Sequence, residues 1–288
     1  MRLWAGLGLV LCAFAANSVL NRLALAGGAS GPGAFAAVRL VSGALALNLL
    51  ALGSTKPAGR RAGLRLTGPV ALLVYMIGFS YAYVTLPAGV GALILFGVVQ
   101  VTMFGGAVIR REPIPPQRWI GALVAFGGLV GLLWSGSGGS AVPAAGGAMM
   151  IAAGLGWGVY SLAGRRERDP LRATAANFLL AAPVAVALVL LHPDEQGPSL
   201  AGVIYGVVAG VVTSGLGYAL WYRLLPQVPA SVAAVAQLLV PVLAAGAGAV
   251  LLAEAPSARQ LVAGFVVLAG VGFGATGGPG QGKRARSG

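Results

Sequence analysis

Glu112, Glu167, Asp169, Asp194, Glu195 and Glu254 are the only acids in 288 residues, and His192 is the only histidine. Each stands at the end of an apolar run or in the gap between two runs. A carrier that exchanges protons for cationic drugs generally needs a carboxylate at mid-membrane depth, and this sequence offers none there. Nor does the spacing give a metal-ligand cluster, a nucleophile–base pair or a phosphate-binding glycine loop. Soluble catalysis, a bound metal and a cofactor are therefore not expected. Cys12 is the sole cysteine, which excludes an intrachain disulfide; its place in the first apolar run reads as packing.

The polar chemistry lies inside the apolar runs. Asn17 and Asn21 fall one helical turn apart, followed by Tyr75, Ser80, Tyr83, Gln100, Thr102, Trp157, Tyr160, Ser161, Asn177, Thr213, Ser214 and Gln237. An amide or hydroxyl in hydrocarbon costs free energy unless it is paired, so these groups should face a helical interior. Interhelical hydrogen bonding, at about 0.6 kcal/mol each, is the plain explanation for any one of them. A binding role is expected for Asn17, Tyr75, Gln100, Trp157, Tyr160 and Gln237. Gln100 and Gln237 lie near the middle of their runs. Tyr75, Trp157 and Tyr160 bring ring faces with polar tips, suited to an amino acid or aromatic metabolite. Asn17 is placed to orient the solute's backbone groups. Arg39, about two turns into the second run, either holds a solute carboxylate or snorkels to the outer interface or pairs locally; Arg22 lies closer to the surface. Trp4, Trp119, Trp134, Trp221 and Tyr222 sit near run ends, where the membrane interface favours them.

What positions these residues is a set of helices. The chain is 58% hydrophobic and 9% charged, against about a quarter charged in ordinary globular chains. Its apolar runs, from residues 3–23 to 260–276, number ten, and each is long enough to cross a hydrocarbon core of ~30 Å. The net charge of +13, taken alone, suggests nucleic acid, but its distribution argues against that partner. Counting loops alternately, all basic residues but Arg22, Arg39 and Arg259 fall on one side. This is the positive-inside pattern of a multi-pass membrane protein with both termini cytoplasmic. The basic loops would also attract anionic lipid. Residues 1–26 mimic a signal peptide, but cleavage would remove the first of the ten helices and is not expected.

The runs repeat. Pro87 matches Pro229 and Glu112 matches Glu254 at an offset of 142, while Phe14 to Asn17 parallels Trp157 to Tyr160 and Gly121 parallels Gly264 at 143. Five helices per copy is an odd number, so the second copy enters from the opposite side. The expected fold is an all-α integral membrane protein of ten transmembrane helices in two inverted five-helix repeats, residues 1–135 and 142–276, with a disordered basic tail at 277–288. Pro87 and Pro229 each open a helix, and Pro241 lies within one, where it removes a backbone hydrogen bond; these three are the expected hinges. Small residues four apart, as at Gly127 and Gly131, Gly206 and Gly210, or Gly270 and Gly274, fit either an oligomer contact or packing within one chain. A monomer is the simpler reading.

The segment Gln237-Leu-Leu-Val-Pro241, then Glu254, then Leu261-Val-Ala-Gly264 to Gly270, with Pro32 to Arg39 and Trp157 to Arg166, resembles the ten-helix EamA-type branch of the drug/metabolite transporter superfamily. The first copy departs from that pattern, with Val99 in place of the proline. The resemblance implies a transporter of small metabolites, with a further likeness to bacterial amino-acid exporters, aromatic ones included. The expected site is a central cavity lined by the first, third, fourth, sixth, eighth and ninth helices. Without a buried carboxylate, the simpler mechanism is an uncoupled facilitator working by alternating access. A proton-coupled exporter of nucleobases, sugars or drug-like metabolites is the alternative. A non-transporting scaffold or intramembrane enzyme is the rival from another class.

Overall fold

The computed structural model describes residues 2–53, 66–111, 114–133, 142–164, 167, 169–192, 196–224, 227–228 and 236–276. Pro229, Glu112, Trp134, Asp194, Glu195, the linker at 136–140 and the tail at 277–288 lie outside them.

The described residues form ten helices and no strand. They are α1 (Arg2–Ala26), α2 (Pro32–Leu52), α3 (Thr67–Tyr83), α4 (Ala88–Ile109), α5 (Pro116–Leu133), α6 (Ala144–Gly164), α7 (Pro170–Leu191), α8 (Leu200–Leu224), α9 (Leu239–Leu252) and α10 (Ala258–Thr276). Eight are long and apolar enough to cross a membrane; α3, with 17 residues, and α9, with 14, are shorter. Leu9, Leu45, Leu49, Leu190, Leu261 and Phe265 point outward and are exposed, an arrangement that suits lipid and not water.

Local chemistry starts and stops the helices. Pro32 and Pro170 occupy the first turns of α2 and α7, where a missing N–H leaves no bond unmade. Asp169 and Ser199 cap α7 and α8, accepting from the N–H groups of Arg172 and Gly202. Ser257 and Gln260 bond reciprocally ahead of α10, the capping box that S-x-x-Q encodes. The guanidinium of Arg259 reaches back to the Gly131 carbonyl, 2.9 Å away, and satisfies the end of α5.

The helices pack as α5 with α10, α2 with α7, α3 and α4 with α6, and α1 with α8 and α9. Glycine permits the closest approaches. A Cβ on Gly121 would strike the Gly270 carbonyl across the α5–α10 seam, and one on Gly210 would strike the Arg39 carbonyl and Ser42 hydroxyl between α2 and α8. Gly127 and Gly131 face open space instead.

Three expectations change. Cys12 is exposed, not packed. Trp221 and Tyr222 are buried in the bundle and do not belong to an interface belt, whereas Trp4 and Trp119 are exposed. Pro241 sits in the first turn of α9, so it removes no bond from that helix. It does explain the break before it: residues 236–237 are helical, Leu238 is a turn and the helix restarts at Leu239. A proline ring collides with the carbonyl four residues earlier, here Gln237.

Candidate functional site: a buried arginine among tyrosines

The polar groups of α1, α2, α3 and α8 meet in one network. Asn17 on α1 donates from Nδ2 to the Tyr75 hydroxyl at 3.3 Å. Arg39 on α2 donates from Nη2 to the same oxygen at 3.1 Å and from Nε to Ser214 Oγ at 3.0 Å. The Tyr218 hydroxyl stands 3.2 Å from that of Tyr75. Asn21 bonds back to the Asn17 carbonyl at 2.8 Å and accepts from Ser80 at 3.2 Å. Thr213 Oγ1 lies 3.0 Å from Asn17 Oδ1 and 2.9 Å from the Ala209 carbonyl, and its one proton can serve only one of them. Asn17, Asn21, Arg39, Ser80, Thr213 and Ser214 are all buried.

Two features of the backbone bring these groups together. Gly210 lets α2 and α8 approach closely enough for Arg39 to reach Ser214. Residues Ala209–Leu216 of α8 form a π-helical segment. Its wider turn narrows the angle between neighbours, so Thr213 and Ser214 both point inward; such bulges recur at functional sites.

An aromatic wall adjoins the network. Trp157 on α6 lies 5.0 Å from Tyr75, 4.7 Å from Tyr218 and 5.6 Å from Tyr160, ring centre to ring centre. Phe14 meets Trp157, Tyr218 and Trp221 edge-on. The Arg39 guanidinium stacks over Tyr75 and Phe79 at 5.4 and 5.2 Å, within the range of cation–π attraction.

Closer to one end of the bundle, Arg22 Nε meets Glu254 Oε1 at 2.5 Å. Arg22 Nη1 also donates to the carbonyls of Tyr83 and Val84, and Glu254 Oε2 accepts from the Ala88 N–H at the start of α4. One ion pair thus ties the ends of α1, α3, α4 and α9. Two surface cavities lie away from the network. One, about 580 Å³, lies between α2 and α7 behind exposed Leu45, Leu49 and Leu190; the other, about 240 Å³, lies beside Ile77, Tyr81 and His192.

Of the residues expected to bind, Asn17, Tyr75, Trp157 and Tyr160 stand in this cluster. Gln100 and Gln237 are half-buried on or beside α4 and α9, and their side chains form no hydrogen bond among the described residues. Pro87 forms the N-cap of α4, as its sequence suggests. Arg39 does not snorkel: none of its surface is exposed. Tyr218 went unremarked in the sequence. The offset from Tyr75 to Tyr218 is 143, one of the spacings at which the sequence matches itself, so adding it to Tyr75 would have found the partner. Phe14 and Trp157, matched at the same offset, also touch.

The EamA-like transporter family matches residues 144–274. The chain is 46% identical over 264 residues to PA1977, an uncharacterized protein of Pseudomonas aeruginosa, covering 91% of each. The chain belongs to the EamA-like transporter family. It is also similar to a probable amino-acid metabolite efflux pump of Salmonella typhimurium, 25% identical across 71% of each chain. The threonine/homoserine exporter RhtA of Escherichia coli K12 is 28% identical over 67% of this chain and 65% of that one. A solved crystal structure shares the fold, with a TM-score of 0.66 at 21% identity, over 93% of this chain and 98% of the other. The protein is a multi-pass membrane transporter of the drug/metabolite superfamily, and a small molecule is its cargo.

Proposed function

We propose that the protein exports neutral amino acids, aromatic ones included, across a bacterial inner membrane by alternating access between two inverted five-helix repeats. The Tyr75–Tyr218 contact carries this reading. When repeats are related by a twofold axis, a residue can touch its own counterpart only on that axis. Tyr75 and Tyr218 are 143 apart and touch; Phe14 and Trp157 are matched at the same offset and touch. The helix pairs support it too: α3 with α6 answers α8 with α1, α4 with α6 answers α9 with α1, and α2–α7 and α5–α10 pair counterparts. A site on the axis faces either side equally as the halves rock.

The positive-inside pattern orients the chain with both termini cytoplasmic, which puts the Arg22–Glu254 pair at the extracytoplasmic mouth. That pair closes this mouth over the aromatic cluster. Pro87, Pro229 and Pro241 are the bending points, and Gln100 and Gln237 line the path on either side of the axis. The names of the Salmonella and Escherichia relatives support amino acids as cargo. No acid among the described residues lies at mid-depth to carry a proton, which favours an uncoupled facilitator.

Counterflow in proteoliposomes tests the proposal, with labelled amino acids, nucleosides and sugars offered in parallel. Neutral amino acids exchange without any proton gradient, and an imposed pH step drives no accumulation. Exchange of another class alone would end the substrate reading, and uphill uptake on a pH step would end the uncoupled mechanism.

A further inference from the structure

We infer that Arg39 is the anchor for a monocarboxylate, so that the carboxylate, and not an amino or aromatic group, is what the site requires of its cargo. This deepens the transporter reading of the same cluster and does not depend on the cargo's being an amino acid.

The network has too many donors. Asn17 Nδ2 and Arg39 Nη2 take both lone pairs of the Tyr75 oxygen, whose own proton is left to face Tyr218, 3.2 Å away, so that oxygen accepts nothing more. Asn17 Oδ1 is already faced by Thr213 and Asn21, and Ser214 Oγ by Arg39. Arg39 Nη1 is buried with no hydrogen-bond partner among the described residues. Among the described residues no carboxylate lies within ion-pair distance of the guanidinium. A buried cation without a counter-ion is held at a substantial desolvation penalty, and hydroxyls and ring faces offset it only in part. An acceptor-only ligand answers both deficits. A carboxylate brings four lone-pair directions and a planar edge that matches the guanidinium fork.

Charge sets the ligand's valence. One guanidinium and one carboxylate leave the site neutral, whereas a phosphate dianion would leave a buried negative charge. A cationic amine without a carboxylate would place a second positive charge beside Arg39, with no acid to receive it. Trp157, Tyr218, Phe14 and Phe79 supply an apolar flank beside the anion position.

Four probes of similar shape separate the groups: L-phenylalanine, L-phenylalaninamide, 3-phenylpropionate and phenethylamine. Binding is read from the shift in thermal unfolding and from tryptophan fluorescence of the full chain in detergent, and exchange from proteoliposome counterflow. The two carboxylates bind at least tenfold more tightly than the amide and the amine. Arg39→Gln removes that difference, and Arg39→Lys keeps part of it, because charge survives while the fork does not. The ligand-free Arg39→Gln protein unfolds at the same temperature as wild type or higher, since an uncompensated charge has gone; a merely structural arginine would lower it. The inference is overturned if the amide and amine bind as tightly as the carboxylates, if neither carboxylate binds, or if Arg39→Gln leaves carboxylate affinity within threefold. Binding of 3-phenylpropionate without phenylalanine exchange would uphold the anion anchor and end the amino-acid reading. Equal exchange of phenylalanine and its amide would do the opposite.

Discussion

On the proposed orientation, Glu254→Gln should open the extracytoplasmic mouth. The carboxylate takes two bonds, from Arg22 Nε and from the Ala88 N–H at 2.8 Å. The second places negative charge at the start of α4, where the helix dipole favours it. Glutamine keeps the shape but loses the charge. A hydrogen bond to a charged group contributes about 1.5–3 kcal/mol, against about 1 for a neutral one. The pair is mostly buried, with side-chain exposures of 17% and 15%, so solvent screens only part of this. A net loss of about 2 kcal/mol follows, and at about 1.4 kcal/mol per decade it shifts the closed–open balance roughly 30-fold. Ser80 lies fully buried one turn inside the pair and bonds to Asn21, which makes it the reporter. Cys12 is exposed and is first changed to serine; Ser80→Cys is then labelled from outside with an impermeant maleimide. Glu254→Gln should raise the labelling rate about 30-fold. Exchanging the partners, Arg22→Glu with Glu254→Arg, should restore closure only in part, because arginine cannot accept from the Ala88 N–H. A labelling rate within threefold of the parent, at equal abundance, would refute the gate.

Gly210→Ala should lower thermal stability in detergent, by about 1–3 kcal/mol if the helices cannot part, because its Cβ meets the Arg39 carbonyl; Gly127→Ala, facing open space, should leave the melting temperature unchanged. Pro241→Ala should let the helix run on through Leu238, and so slow exchange more than it lowers abundance, as measured by counterflow against membrane-protein level.

The sequence alone was enough for the class of the molecule. Run length, loop charge and the 142–143 offset are one-dimensional properties, and a bilayer converts them directly into helices, because only internally bonded backbone survives in hydrocarbon. The EamA resemblance, the start of α4 at Pro87 and the inward bias of Asn17, Tyr75, Trp157 and Tyr160 were legible for that reason. Arg39 was not. An arginine two turns into a membrane helix reads equally as a snorkelling residue or a binding one, and only the close approach of α2 and α8 at Gly210 decides between them. Trp221 and Tyr222 misled similarly, since a position near a helix end says nothing about which neighbours cover it. The π-helical turn at Ala209–Leu216 has no periodic signature, being a local response to packing. Tyr218 stands 143 residues from Tyr75, but their meeting needed α3 and α8 to be folded together. Sequence fixes which groups are polar and how far apart they lie along the chain. Only the tertiary structure, by bringing helices distant in the chain into contact, decides which donors crowd one oxygen and which charge is left without a partner.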